Sequence, residues 1–379
     1  MFTFPIPPLS IVLLSALALF AILQLAYHFM VYGKLLRKQD FSLSEHPWQP
    51  VSIIVCARSE FDNLQQLVPA LLEQDYPDFE IVLVDDASWD HTTSYLEELE
   101  ETYSGKISAV FITEDMKKHY LGKKLALTLG IKAAKHELLL LTDADCIPQS
   151  RTWIKHMVQP YHTNSESEIV LGYSPFTKNP SFVNLASRMD NLFTAMSYFS
   201  YAIARNPYMG VGRNLSYRKS LFFRLKGFAS HLHIAPGDDD LFIRDAANGT
   251  NTAYTMHPDS FVITSGKTSM KDWFQQKKRH NFVGRYYLPK HKLSLGFCAV
   301  THALFWITFV ANCFVYETVG WALLILGVFW AVKLPLLYVN FKKFGQALTA
   351  FWAPVFDVLF VFYNFVFGLV ALFGRQKKW

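Results

Sequence analysis

Four consecutive leucines, Leu138 to Leu141, give way at Thr142 to two aspartates one residue apart, Asp143 and Asp145. The apolar run is too short to cross a membrane and has the length of a strand buried on both faces of a parallel sheet. Along an extended chain, residues i and i+2 point to the same side. The two carboxylates therefore share the carboxyl end of a buried strand, where open α/β sheets place their ligands. Hard divalent cations take oxygen ligands, and Mg²⁺ in particular is held by one or two carboxylates together with substrate phosphates. Asp-x-Asp recurs by chance in many chains; its position behind an all-leucine strand gives it weight.

The same stretch organises what surrounds it. VSIIVCARSE, Val51 to Glu60, is a β-branched strand ending in a polar turn, and Asp62 to Gln74 continues with helical spacing. FEIVLVDDASWDHT repeats the pattern, with Asp85 and Asp86 at the strand end and a helix around Thr93 to Tyr103. KISAVFIT reads as a third strand, LGKKLALTLGIKAAK as a helix with a basic start, and HELLLLTDAD as the fourth strand. Strands and helices alternating at this length predict a doubly wound, mostly parallel α/β sheet. Helix caps and turns favour Asp and Ser anyway. They account for about half of the acids that gather at strand ends, Glu60, Asp86, Asp143 and Asp145.

Hydropathy sets the boundaries. Leu9 to Tyr32 is a nearly uncharged run of spanning length, followed at once by Lys34, Arg37 and Lys38. A signal peptide carries its charges before the apolar core, so a retained anchor is expected, with the next domain in the cytoplasm. Three more apolar segments follow near the C-terminus: Gly296 to Tyr316, Val319 to Val339 and Ala350 to Phe373. Pro354 and Asp357 interrupt the last, which is expected to lie in the interface or to return to the side it entered. Lys333 is expected to pair with Asp357, since charges inside membranes find partners. The basic pairs Lys342–Lys343 and Lys377–Lys378 oppose each other under the positive-inside tendency, so topology stays open. The predicted organisation is an anchor over 1–33, a linker over 34–50, a cytoplasmic domain over 51–292 and a transmembrane region over 293–379. The formal charge of +5 is modest and its basic residues sit beside the apolar ends. That points to a membrane surface and not to nucleic acid. Cys56, Cys146, Cys298 and Cys313 show no metal-ligand spacing and are read as reduced; acidic neighbours disfavour a Cys146 thiolate.

Beyond Trp153 the alternation fades. GYSPF, Gly172 to Phe176, reads as a strand, and Ser181 to Asn206 as a long aromatic-rich amphipathic helix. Its periodicity fits both a core helix and one lying in the membrane interface. GVGRNLSYRKSLF brings Arg213 and Arg218. GDDDL then sets Asp238, Asp239 and Asp240 side by side, where repulsion predicts a raised pKa or a cationic partner for at least one. A helix N-cap explains the same residues without chemistry. KDWFQQKKRHNFVGRYYLPKHK is basic and aromatic, suited to head groups and, through Arg279, to a diphosphate.

These blocks together resemble family-2 glycosyltransferases, nucleotide-sugar enzymes with a GT-A fold. The order and spacing of VSIIVCARSE, LVDDASWDHT and GKKLALTLGIKAAKHELLLLTDADCIP match, as do GRNLSYRKS, GDDDLFIR and QKKRH. With the membrane layout, the chain is similar to the branch that includes chitin, hyaluronan and cellulose synthases and ceramide glucosyltransferases. The resemblance implies a GT-A-like sheet with one N-terminal and about three C-terminal membrane helices, at the bacterial inner membrane, with 51–150 as the nucleotide-binding half of the domain and 151–292 as the acceptor half with interfacial helices. It implies a nucleotide-sugar donor, a UDP-sugar first, with Ala57, Glu60 and Asp86 around the nucleoside and Lys124 near the nucleotide, Lys123 being the alternative for that place. It places Asp143 and Asp145 at a divalent metal, Mg²⁺ or Mn²⁺, and Asp143 also at the diphosphate. Asp238 takes the position of the general base, and Gln276, Arg279 and His280 that of a Gln-x-x-Arg-Trp signature near diphosphate and acceptor. Two departures stand out: His280 replaces Trp, and Gly237 stands where Glu is common.

The expected reaction is an inverting, metal-dependent transfer of a hexosyl group to a lipid-linked or growing glycan acceptor. Three other functions compete with it. A processive polysaccharide synthase would share the nucleotide site, but the few C-terminal spans and His280 in place of Trp favour single or short-chain addition. A nucleotidyltransferase would not need GDDDL followed by QKKRH, and a non-catalytic membrane subunit would be expected to lose its acids. A P-loop NTPase is excluded, because GKKLALTLG lacks the glycine-rich loop before Lys and the Ser or Thr after it.

Overall fold

The structure is a computed structural model that describes residues 8–37, 42–43, 47–119 and 122–373. The expected linker over 34–50 lies partly outside the described residues, and Lys377 and Lys378 lie wholly outside them. The chain divides into two compact units, one of Met1–Lys38 with Tyr287–Gly374 and one containing Gln39–Tyr286.

The second unit is built on a seven-stranded sheet. Its strands are β1 (Val51–Ala57), β2 (Phe79–Asp86), β3 (Ile107–Ile112), β4 (Leu138–Asp143), β6 (Ile169–Leu171), β7 (Leu215–Arg218) and β8 (Thr252–Tyr254). The order is β3-β2-β1-β4-β7-β6-β8. The first four strands run parallel, and β7 is antiparallel to both β4 and β6. A two-stranded sheet pairs β5 (Cys146–Pro148) with β9 (Val262–Thr264). The mostly parallel α/β architecture expected from the alternation is the one observed.

Burial explains the leucine run. Leu138, Leu139, Leu140 and Leu141 are all buried, as are the β-branched residues of β1, because helices cover both faces of the parallel half. At about 25 cal/mol per Å² of apolar surface, each such side chain contributes on the order of 2 kcal/mol. The amino-terminal edge of this half carries a buried acid, Glu80. It accepts hydrogen bonds from Ser52 Oγ (2.6 Å) and from the Lys135 backbone N–H (2.5 Å), and Lys135 Nζ lies 3.4 Å away. Both hydrogen bonds go to one oxygen and the lysine charge stands by the other, far from the strand ends that carry the other acids.

The strand expected over Gly172 to Phe176 lies earlier, at Ile169–Leu171. Gly172 donates its N–H to Asn214 O, and a Cβ at Gly172 would come within 2.5 Å of Asn214 Nδ2, so the chain leaves the sheet there. Asn214 is fully buried and saturated: Nδ2 donates to Tyr173 O (2.8 Å) and Ser260 O (2.7 Å), and Oδ1 accepts from Trp153 Nε1 (3.1 Å). In the folded protein the Asn-x-Ser pattern here is closed to glycosylation. Leaving buried polar groups unpaired costs about 1–3 kcal/mol each. Asn214→Ala is therefore expected to destabilise by at least about 2 kcal/mol in a denaturant titration of the detergent-solubilised protein, and an unchanged midpoint would contradict this account. The helix Phe182–Ile203 begins at an N-cap, Ser181 Oγ accepting from Asn184 N at 3.1 Å. Residues Asn184 and Ala186 to Leu192 are buried, so it is a core helix of this unit.

Among the described residues, the other unit holds four helices long and apolar enough to cross a membrane: Pro8–Leu36, Pro289–Cys313, Tyr316–Lys343 and Ala347–Gly368. Pro354 does not break the last one. It stands in the first turn of the helix Ala353–Phe373, where a missing N–H costs nothing. The expected pair forms, with Lys333 Nζ 2.6 Å from Asp357 Oδ1. The second carboxylate oxygen accepts from Trp306 Nε1 (2.9 Å) and lies 3.0 Å from His302 Nε2.

Candidate active site

Register brings the acids together. Ala57 pairs with Asp85 across β1 and β2, and Cys56 pairs with Asp143 across β1 and β4. Three adjacent strands thus end at one level. The turns leaving β1 and β2 are tight, with Ser59 and Ala87 both in the left-handed region (φ 56° and 58°). Asp85 serves its own turn: it accepts from Ser88 N (2.9 Å) and Thr93 Oγ1 (2.5 Å). The next residue, Asp86, is left for other work. It meets Lys117 Nζ at 3.1 Å, and burial raises its pKa against the pull of that lysine.

Glu60 stands at the start of the helix Phe61–Leu72 and accepts from Asn63 Nδ2 at 2.5 Å. Its carboxyl is raised first by burial and also by the charges of Asp145 and Asp143, with the Asn63 amide opposing. Asp143 moves the other way. Burial opposes ionisation, but Lys123, which forms an ion pair with it, and the charges of Arg213 and Arg279 hold it low. Asp145 is fixed by the small sheet, its Oδ2 accepting from Thr264 Oγ1 at 3.1 Å. Donor atoms of Asp143, Asp145 and Cys146 lie within 4.8 Å of one another. Cys146 is fully buried, and burial with the two carboxylates pushes its thiol well above its ordinary value. A neutral thiol is a poor ligand, so this group offers two carboxylates, a donor set suited to a hard dication with water or phosphate completing the shell.

A second group, His156, His257 and Asp259, also lies within 4.8 Å. Its imidazoles are stacked, 3.9 Å apart and 9° from parallel. Stacked rings direct their lone pairs side by side rather than at one point, so this is the poorer cage.

The three adjacent aspartates divide their tasks. Asp239 is the N-cap of the helix Asp240–Ala246, accepting from Asp240 N (2.7 Å), and its other oxygen accepts from Gly212 N (2.9 Å). Asp238 is half-buried, and its pKa is raised to about 6, first by burial, then by Asp239, with Lys123 opposing. Both explanations of this block therefore hold, for different residues. Gly237 has φ +88°, and a Cβ there would fall 2.6 Å from Leu241 Cγ, which accounts for the absence of Glu at this position.

Cys56 lies opposite Asp143 in the register of β1 and β4. Its thiol is pushed up to about 12, first by burial, with Asp143, Asp86 and Asp238 adding to it and Lys123 opposing. The expected nucleotide-side lysine, Lys124, faces elsewhere: its ammonium is fully buried against the carbonyls of His231, Ile234 and Pro236. Of the two lysines, Lys123 is the one at Asp143. Gln276, Arg279 and His280 share the helix Met270–Gly284, which a buried ion pair between Lys277 and Asp190 fastens to the helix Phe182–Ile203. Arg279 acts on Asp143, whereas His280 is exposed. Sequence reading gave no role to Lys117, which pairs with Asp86, or to Arg213, whose charge helps to hold the Asp143 carboxyl low.

Residues 52–225 match the family model described as "Glycosyl transferase family 2". Among curated relatives, the chain is 25% identical over 158 residues to the poly-beta-1,6-N-acetyl-D-glucosamine synthase of Staphylococcus epidermidis, covering 41% of this chain and 36% of that one. It is 28% identical over 190 residues to glycosyltransferase AglE of Haloferax volcanii, covering 50% of this chain and 58% of that one. The chain thus spans roughly a third to three-fifths of these relatives' lengths. A solved mannosyltransferase, PcManGT from Pyrobaculum calidifontis in complex with GDP-Man and Mn²⁺, has a similar fold, with a TM-score of 0.58 at 20% identity over 92% of this chain and 99% of that one.

Proposed function

We propose, from the family 2 glycosyltransferase domain that residues 52–225 of this chain form, an inverting transfer of a sugar from a nucleotide sugar to a lipid-linked or growing glycan acceptor. The observation that carries this reading is the register that ends β2, β1 and β4 at one level, with Ala57 opposite Asp85, Cys56 opposite Asp143 and Lys123 paired with Asp143. One oxygen-rich pair and one carboxylate with a raised pKa then serve different tasks. Ala57, Glu60 and Asp86 line the strand ends where base and ribose would rest. Asp143 and Asp145 would hold Mg²⁺ or Mn²⁺, which when bound neutralises charge on the leaving diphosphate. Arg279 and Arg213, close enough to act on Asp143, add fixed positive charge at the same end. Asp238 accepts the proton of the acceptor hydroxyl as that oxygen forms its bond to the anomeric carbon and the bond to the diphosphate breaks. A base on the face opposite the leaving group makes the transfer inverting. Gln276 and His280 border the acceptor side.

The four apolar helices support an integral membrane enzyme. The basic residues Lys34 and Arg37 after the first span favour a catalytic domain on the cytoplasmic side, of the inner membrane in a bacterium. That side supplies nucleotide sugars, and a UDP-sugar is the first donor to test.

The test is nucleoside diphosphate release by the detergent-purified full chain from a panel of UDP- and GDP-sugars, with membrane lipids supplied. Release from one donor with Mg²⁺ or Mn²⁺, abolished by EDTA and restored by the metal, is the expected result. No release from any donor by protein that still binds nucleotide would overturn the reading in favour of a non-catalytic subunit.

A further inference from the structure

The helix Lys124–Ala133 starts with two lysines, Lys123 at its N-cap and Lys124 at its first position. The helix dipole disfavours cations at that end, so both ammonium groups need other compensation. They find it in opposite directions. Lys123 pairs with Asp143 at the end of β4. Lys124 is fully buried, and an ammonium has three donors and no acceptor. Lys124 donates to the backbone carbonyls of His231 (3.1 Å), Ile234 and Pro236 (3.1 Å).

Those carbonyls belong to the loop that runs directly into Asp238. The loop also rests on the turn before the helix: Gly122 has φ +69°, and a Cβ there would lie 2.6 Å from Ala235 O. Burial lowers the Lys124 pKa to about 8, while Asp238 and Asp239 pull it upward, so the two carboxylates lie within electrostatic reach. On its far side the aspartate block is tied by Gly212 N to Asp239. Asp238 is therefore held from both flanks, and one flank is a lysine adjacent in sequence to the partner of Asp143.

The geometry points to Lys124 as a positioning residue for the base: it fixes the 231–236 loop so that Asp238 stands at a set place relative to Asp143, and the Lys123–Lys124 pair couples the donor and acceptor halves of the site. This rests on the reading of Asp238 as the base. A misplacement of about 1 Å can cost on the order of 100-fold in rate.

Lys124→Met keeps the length of the side chain and removes its donors. In the full chain, kcat is expected to fall about 10- to 100-fold, with donor KM and nucleoside diphosphate affinity within about twofold of wild type, since this lysine does not face the donor. Unchanged kcat would overturn the inference. So would a parallel loss of donor affinity, which would put Lys124 on the nucleotide. If this variant does not fold, Lys124→Gln is read by the same two criteria, with a smaller fall in kcat because its amide keeps two donors. Asp238→Asn in the same assay separates the failures. If it stays active, the assignment of the base is wrong; if it is inactive and Lys124→Met is fully active, the positioning role alone is wrong.

Discussion

Asp238→Asn is expected to lower kcat by about 10²–10⁴-fold, the usual contribution of a positioned base, while nucleoside diphosphate affinity stays close to wild type. Asparagine matches the size of aspartate, so the loop and the neighbouring cap at Asp239 are preserved and the loss reports proton acceptance alone. The wild-type pH profile gives an independent check. With the Asp238 pKa near 6, the carboxylate fraction falls below that pH, so kcat/KM should rise with pH through a midpoint of about 6 and level off above it. The residual activity of the Asn variant should lack that limb. Stability moves the other way across the same window. A carboxyl whose folded pKa is raised stabilises the fold when protonated, and that contribution is lost as pH rises from about 4 through about 6. A profile in which wild type and Asn variant share one limb near 6 would move the titration to another group and remove Asp238 from this role.

The parts of this arrangement that depend on local pattern could be read from the sequence. A leucine run ending in Asp-x-Asp, with two β-branched strands before it, is enough to place Asp86 and Asp143 at strand ends, with Glu60 and Asp145 in the turns just beyond, because a parallel sheet fixes where its strands terminate. The Lys333–Asp357 pair was legible for a different reason, the cost of an uncompensated charge among apolar helices. What could not be read is direction at the level of one residue. Lys123 and Lys124 are adjacent and chemically identical, and only the fold turns one to Asp143 and the other to the 231–236 carbonyls. Two cations at the wrong end of a helix dipole were the available signal, and it says only that both are held. Gly172 to Phe176 resembled a strand because its aromatic residues suit one; Asn214, distant in sequence, bends the chain out of the sheet there. Pro354 resembled a break because periodicity cannot tell the first turn of a helix from its middle.

The largest expected effects on stability lie in the apolar unit, where the two partners of one ion pair are not equivalent. Breaking a buried pair by removing one member costs about 3–5 kcal/mol. After Lys333→Met the Asp357 carboxylate keeps two neighbours, Trp306 Nε1 at 2.9 Å and His302 Nε2 at 3.0 Å. After Asp357→Leu the ammonium of Lys333 retains, among the described residues, the faces of Phe329 (4.9 Å) and Trp330 (5.1 Å), worth about 2 kcal/mol in a desolvated setting. His302 and Trp306 also lose their shared acceptor, at about 1–3 kcal/mol each. Asp357→Leu should therefore be the more damaging of the two, by a few kcal/mol. The double variant should be less damaging than the sum of the singles, because the stranded ammonium is gone while the two orphaned donors remain. Thermal and denaturant unfolding of all four proteins in one detergent measures this ordering. Equal losses for the two single variants would mean that Trp306 and His302 contribute nothing to holding Asp357. Strict additivity would mean that Lys333 and Asp357 do not act as a pair at all.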